Sequence, residues 1–224
     1  LSSVARNLLP AASEKLAEKF PDIELDILEI SPVEAIDLLY GRQLSVAVLA
    51  EDSIAKSILS FSKTNLFEDP YVLAVPKSVS LENIRNLDEL KKSPVSKALS
   101  NIIQFEFGNQ HKKRIEEWFT SVLPNSRVFA KTRTYEVALS MVQSGRGVAV
   151  VPALAARLGG KNLDFDVNLY RTNLPVRKII SLIPSQYVRV EPYKSFIEAL
   201  TEAGKKMKLP KIHKVPPILE SLSV

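Results

Sequence analysis

Thr134-Tyr-Glu-Val-Ala-Leu-Ser-Met-Val-Gln-Ser-Gly-Arg-Gly-Val-Ala-Val-Val-Pro152 decides the fold class. Val137, Ala138, Met141 and Val142 recur at helical spacing, which predicts a short helix with one apolar face. Gly145 stands where a helix C-terminus takes a left-handed residue, and Gly147 is expected to give the turn further freedom. Val148–Val151 is a continuous apolar run, the pattern of a strand covered on both faces. Pro152 closes it. Helix, glycine stop and buried strand in this order point to an α/β fold.

Outward from this stretch the same grammar recurs. Val4, Leu8, Leu9, Ala12, Leu16 and Phe20 share one face of a helix over 4–20, with Pro10 as a kink or the true first turn. Residues 23–30 alternate as a strand, with Ile23, Leu25 and Ile27 on one face. Ser31-Pro32-Val33-Glu34 is a helix start: Ser31 caps, Pro32 fits the first position, and Glu34 completes a capping box. That helix stops at Gly41, and Val46–Leu49 reads as a buried strand. Residues 23–50 therefore predict a βαβ unit with parallel strands.

Residues 51–70 read as a polar connection with a strand at 58–61. Strands follow at 71–75, 102–105, 128–131 and 178–183. Helices are expected within 81–92 and over 110–123 and 192–207. The βαβ pattern near 23–50 and again near 102–151 predicts two similar lobes. The last strand and helix return to the first lobe, and two crossings between lobes define a hinged cleft.

Composition narrows the function. The chain of 224 residues contains no cysteine, which excludes thiol catalysis, disulfides and cysteine–zinc sites. No apolar run approaches the roughly 20 residues of a membrane span. The net charge of +5 is concentrated after residue 204, where five lysines face Glu220 alone. The body is nearly neutral, which argues against a DNA-binding face. The basic segment reads as a solvated tail.

Catalysis has little support. The two histidines, His111 and His213, stand far apart in the sequence. No nucleophile–base pair, carboxylate pair, metal cluster, phosphate loop or dinucleotide fingerprint has recognisable spacing. Ligand binding has more. In open α/β sheets small molecules sit beyond the carboxyl ends of strands and against helix N-termini. Four such places are readable: Ser2-Ser3, Ser31-Pro32, the stretch from Gln104 to Asn109, and Thr132-Arg133-Thr134. Each alone is also an ordinary helix cap. Lys112-Lys113-Arg114 places cations in a first helical turn, against the helix dipole. They either face solvent or meet an acidic surface, such as the Glu14/Glu18 face of a second copy of the chain.

The order and spacing of these stretches resemble the effector-binding (regulatory) domain of LysR-type transcriptional regulators. Leu8-Leu9-Pro10 and Phe20-Pro21-Asp22-Ile23-Glu24-Leu25 are similar to that family's opening. Pro70–Pro76 is similar to its crossover strand, and Met141–Pro152 to its glycine–valine–proline stretch. The resemblance covers about residues 1–204. It implies a type II periplasmic-binding-protein-like fold of two α/β lobes, with lobe I at 1–75 and 180–204 and lobe II at 76–179, whereas the basic tail at 205–224 has no counterpart in the family. It implies a cytoplasmic regulator with neither catalytic residues nor cofactor nor metal, whose small-molecule inducer binds between the lobes.

The family's ligand groups fall near Ser2, Ser3, Ser31, Gln104, Phe105, Thr132 and Thr134, with Val151-Pro152 as one wall. Arg133 and the helix N-termini favour a carboxylate effector. The resemblance also implies a homodimer or tetramer of antiparallel lobes, with DNA bound only through a winged helix-turn-helix that this sequence does not include. The family's first strand, before the serine-rich turn, is likewise not in this sequence. Ser45 stands after Gly41-Arg42-Gln43-Leu44 where the family commonly has an aspartate. A transport solute-binding protein is the alternative on the same fold, to be separated from a regulator by a signal peptide. An enzyme on this fold would need an acid, base or cofactor lysine that no motif supplies.

Overall fold

The computed structural model describes residues 2–54, 60–106, 109–159 and 163–220, with backbone alone at 109–111 and 163. In chain order the elements are α1 (Ser2–Lys19), α2 (Pro32–Tyr40), β1 (Ala47–Ala50), β2 (Phe61–Asp69), β3 (Tyr71–Pro76), α3 (Leu87–Lys92), α4 (Ser96–Leu99), β4 (Asn101–Phe105), α5 (Asn109–Val122), β5 (Arg127–Thr132), α6 (Tyr135–Gln143), β6 (Ala149–Pro152), β7 (Arg157–Gly159), β8 (Leu163–Asp164), β9 (Val167–Arg171), β10 (Arg177–Pro184), α7 (Tyr193–Lys205) and α8 (Pro217–Glu220). The chain divides into two compact units, Leu1–Asp69 with Arg177–Lys208, and Pro70–Val176 with Leu209–Val224.

The first unit is built on an antiparallel sheet in the order β1-β10-β2. Helix α1 buries Val4, Leu8, Ala12 and Leu16 at four-residue spacing, continues through Pro10, and packs on α7. Ala35 and Leu39 of α2 pack with Ala47, Leu49, Ile180 and Leu182 of the sheet. The expected strand at 23–30 is not formed. Among the described residues no strand pairs with it, and Ile27 and Leu28 stay 54% and 47% exposed. Alternation prepares a segment for a sheet, but a strand also needs a neighbour to take its backbone hydrogen bonds. The predicted parallel βαβ unit is therefore replaced by an antiparallel pair, β1 with β10.

Strand β2 is longer than the sequence implied. Of the expected strand at 58–61, residues 58 and 59 lie outside the described residues, and the strand runs on to Asp69. Its pairing with β10 slips between Ile179 and Ile180, which face Phe67 and Asn65. The extra residue, Leu66, breaks the period of two that makes a strand legible. At α2 the left-handed residue is Arg42, with φ 57°, and not Gly41. The Gln43 N–H bonds to the Leu38 carbonyl and the Arg42 N–H to that of Leu39, so an arginine holds the glycine position of a Schellman cap.

In the second unit β6-β3-β9 form an antiparallel sheet, and β4 pairs parallel with β5. A parallel bridge between Ile102 and Val148 joins the two groups. Both faces are covered. Tyr71, Leu73, Val75, Val148 and Val150 point toward α5, whose Ile115, Trp118, Phe119 and Val122 complete that core. Val72, Ala74, Ala149 and Val151 point toward Ala138, Leu139 and Val142 of α6. The expected inner residue Val137 is instead exposed, and Leu139 replaces it.

The quoted helix–glycine–strand unit ends in a Schellman cap: the Arg146 N–H bonds to the Met141 carbonyl and the Gly145 N–H to that of Val142. Gly145 has φ 73°. Gly147 serves a different need from the expected freedom. A Cβ there would lie 2.5 Å from the Asn101 carbonyl oxygen, so glycine lets β6 approach β4.

The chain therefore changes units at 69/70 and 176/177, where the sequence placed the boundaries at 75/76 and 179/180, and a third time at 208/209. Strand β3 lies between β6 and β9, and β10 lies between β1 and β2, which fixes the first two changes. The segment expected as a solvated tail also differs. Ile218 and Leu219 are buried in the α5-side core, and His213 pairs with Tyr170.

Candidate effector site

In the first unit the three serines stand at helix starts. Ser31 adopts an extended conformation before Pro32, and its Oγ accepts from the Glu34 N–H at 3.2 Å. Ser2 begins α1, and its Oγ donates to Glu29 Oε2 at 2.7 Å. Ser3 is buried, and its carbonyl accepts from Asn7 Nδ2 at 2.8 Å. Glu29 is a group the sequence reading missed: it places a carboxylate at the N-terminus of α1, where the helix dipole favours negative charge. Between residues 25–30 and Val46–Leu49 lies an apolar groove of about 140 Å³, floored by Val4, Leu8 and Phe196. The three serines do not line it.

In the second unit the parallel pairing sets Phe105 opposite Thr132 at the carboxyl ends of β4 and β5. Phe105 stacks on Tyr135 with centroids 3.9 Å apart and planes at 19°. Thr132 Oγ1 accepts from the Thr134 N–H and donates to the Thr134 carbonyl, both at 3.2 Å, so the turn carrying exposed Arg133 is closed on itself. Thr134 caps α6, its Oγ1 accepting from the Val137 N–H at 3.4 Å. Gln104 is buried and its Nε2 donates to Glu116 Oε1. The structure thus brings Gln104, Phe105, Thr132, Arg133 and Thr134 to neighbouring strand ends. Val151 and Pro152 are buried in β6, Val151 within the α6-side core.

Lys112 and Lys113 find acid within their own unit. Glu106 Oε1 lies 3.1 Å from both Lys112 Nζ and Lys131 Nζ. These hydrogen bonds, from Lys131 first and Lys112 second, hold the Glu106 carboxyl below the usual carboxylate range. The bond to Glu106 raises Lys112 in turn. Lys113 pairs with Glu117 one helical turn on. Glu106 falls within the stretch from Gln104 to Asn109, whereas Lys131 and Tyr135 belong to the neighbourhood but lie outside the four places legible in the sequence. The readable signal was Glu106, at the end of a predicted strand and six residues before Lys112.

Hydroxyls, an amide, an aromatic face and an arginine gather at strand ends. Groups of these kinds can bind a small polar ligand. Among the described residues no group of three or more His, Cys, Asp or Glu is placed to hold a metal. No helix among them is long and apolar enough to cross a membrane.

Two α/β units, each presenting polar groups at helix starts, define a two-lobed ligand-binding class of fold. The LysR substrate binding domain family matches residues 1–205, and the chain belongs to that family. A curated relative is the HTH-type transcriptional regulator CysB of Haemophilus influenzae, 26% identical over 159 residues. That alignment takes in 67% of this chain and 45% of CysB, so the chain spans less than half of that relative's length. Among solved structures, the reduced form of OxyR from N. meningitidis is similar in fold at 19% identity and TM-score 0.63, covering 90% of this chain and 91% of that one. The BenM effector binding domain with its effector benzoate is similar at 16% identity and TM-score 0.61, covering 92% and 88%.

Proposed function

We propose that this chain is the effector-sensing domain of a LysR-type transcription regulator, and that its effector is a small carboxylate. Ser2, Ser3 and Ser31 of one unit and Gln104, Phe105, Thr132, Arg133 and Thr134 of the other engage it, with Val151-Pro152 behind them. The observation that carries this reading is the cluster at the parallel ends of β4 and β5, where Thr132, Arg133 and Thr134 follow the strand end that pairs with Phe105, itself stacked on Tyr135. Family membership supports it, as does the benzoate bound by the BenM domain.

The effector acts by preferring one arrangement of the units, and shifts the equilibrium only by its differential affinity for the two. In the longer protein a DNA-binding domain reads out that shift, and the working form is a homodimer or tetramer in the cytoplasm.

A thermal-shift screen of benzoate and other small carboxylates tests the reading. At a hundredfold excess over Kd a true effector adds about 2.7 kcal/mol of stability. That raises the melting temperature by roughly 5–11 °C for a chain of this size. A folded protein that no carboxylate stabilises would refute the carboxylate assignment. Sedimentation of the same sample tests the oligomer, and a monomer at high concentration would refute it.

A further inference from the structure

The chain after α7 forms a strap. Leu209 and Ile212 pack on the α6-side core of the second unit, and Val215, Ile218 and Leu219 on the α5-side core. Between them His213 meets the outer edge of β9, its N–H bonding to the Leu169 carbonyl at 2.7 Å and its carbonyl accepting from the Arg171 N–H at 3.1 Å. The strap thus wraps the edge of the sheet from one face to the other.

Its anchorage is specific. The His213 ring lies 5.0 Å from that of Tyr170, and its Nδ1 is 3.0 Å from Glu82 Oε1. Tyr170 Oη accepts from the Leu81 N–H at 3.0 Å, and the Ile218 N–H bonds to the Ile84 carbonyl at 2.9 Å. Ile218 and Leu219 are each 2% exposed. Helix α7, in contrast, belongs to the first unit and ends at Lys205.

The chain consequently passes between its units three times, at 69/70, 176/177 and 208/209. Asp69 and Arg177 are register partners, so the first two passages leave the first unit side by side. The third passage, continuous with α7 of the first unit and docked on the second beyond Leu209, adds a further tie between them. Four peptide steps from Lys205 to Leu209 reach at most about 14 Å, so the two ends of the link can never lie farther apart than that.

We infer that residues 206–220 are a built-in restraint: a docked strap whose short link limits the relative motion of the two units. The restraint lies beyond the segment matched by the family. It rests on the two-unit division and not on the identity of the effector.

Lengthening the link without undocking the strap is the test. The absence of native cysteine lets Glu18→Cys and Lys92→Cys, on exposed positions of the two units, carry spin labels cleanly. Six Gly/Ser residues inserted between Lys208 and Leu209 raise the maximal reach to about 35 Å. The inter-label distance distribution of the unliganded protein should then become at least twice as wide, while the His213 and Ile218 amides keep their protection from hydrogen exchange. A width unchanged by the insertion would overturn the proposal. Broadening with loss of that protection would also overturn it, because the strap would then have no anchorage independent of the link. The readout uses no ligand, so failure of the effector assignment leaves the test intact.

Discussion

Removing one partner of the Asp69–Arg177 pair should cost the protein more than any other single polar substitution in the described structure. Arg177 Nη2 donates to Asp69 Oδ2 at 2.6 Å, with side chains 3% and 0% exposed. The two residues face each other across β2 and β10, at the ends of both strands where the chain changes units. Burial removes the hydration of both charges, and their mutual attraction offsets that loss only while both are present. Breaking such a pair costs about 3–5 kcal/mol, whereas replacing both partners with apolar groups is often near neutral.

Asp69→Leu and Arg177→Met should therefore each lower stability by about 3–5 kcal/mol, or the melting temperature by roughly 6–20 °C. The double variant should recover most of the loss. Urea unfolding followed by circular dichroism measures all three. A single-variant loss below about 1 kcal/mol would refute the reasoning. So would a double-variant loss equal to the sum of the singles within about 0.5 kcal/mol, the tolerance expected of independent sites.

Gly147→Ala drives a Cβ to 2.5 Å from a backbone oxygen and should destabilise by about 1–3 kcal/mol. Gly145→Ala meets nothing within 4 Å and suffers only its positive φ, about 1–2 kcal/mol, so equilibrium unfolding distinguishes steric from conformational need. Arg42→Gly relieves a left-handed arginine and should stabilise by about 0.5–1 kcal/mol in the same assay. The Glu191 carboxyl is held at about 2 by hydrogen bonds from Lys19 first and Ser195 second, below its ordinary 4.5. A depressed carboxylate stabilises the fold above its unfolded value, and that contribution fades as pH falls toward 2. Lys19→Met should flatten the stability profile between pH 4.5 and 2, and a profile unchanged from wild type would contradict it.

The second unit was largely legible, because its signals are local. Val148–Val151 reads as a doubly covered strand, and β6 runs one residue later, Ala149–Pro152, buried throughout, with Val148 bridged to Ile102 just before it. Ile115, Trp118, Phe119 and Val122 mark the inner face of α5 and are all buried. Where the reading failed, the missing information was a partner or a register. Residues 23–30 alternate correctly but have no neighbouring strand. The bulge at Leu66 scrambled the face pattern of β2. In strand β9 the apolar Val167, Leu169 and Tyr170 cover both faces across only five residues, too short a stretch for its period to stand out. The lysines after residue 204 concealed the apolar anchors Ile218 and Leu219, since composition averages over positions that packing separates. At the candidate site, Thr132, Thr134 and Ser31 were readable as caps. The Glu106–Lys112–Lys131 cluster was legible only in part, because Glu106 and Lys112 stand six residues apart but Lys131 joins them only when β4 and β5 pair.

The central claim is that one small carboxylate engages groups on both units. The most direct measurement is a backbone amide NMR titration of the uniformly labelled chain with the carboxylate that gives the largest thermal shift. The account predicts that Ser2, Ser3 and Ser31, together with Gln104, Phe105, Thr132, Arg133 and Thr134, shift along one binding curve with one Kd. Shifts confined to a single unit, or two sets with separate affinities, would contradict it.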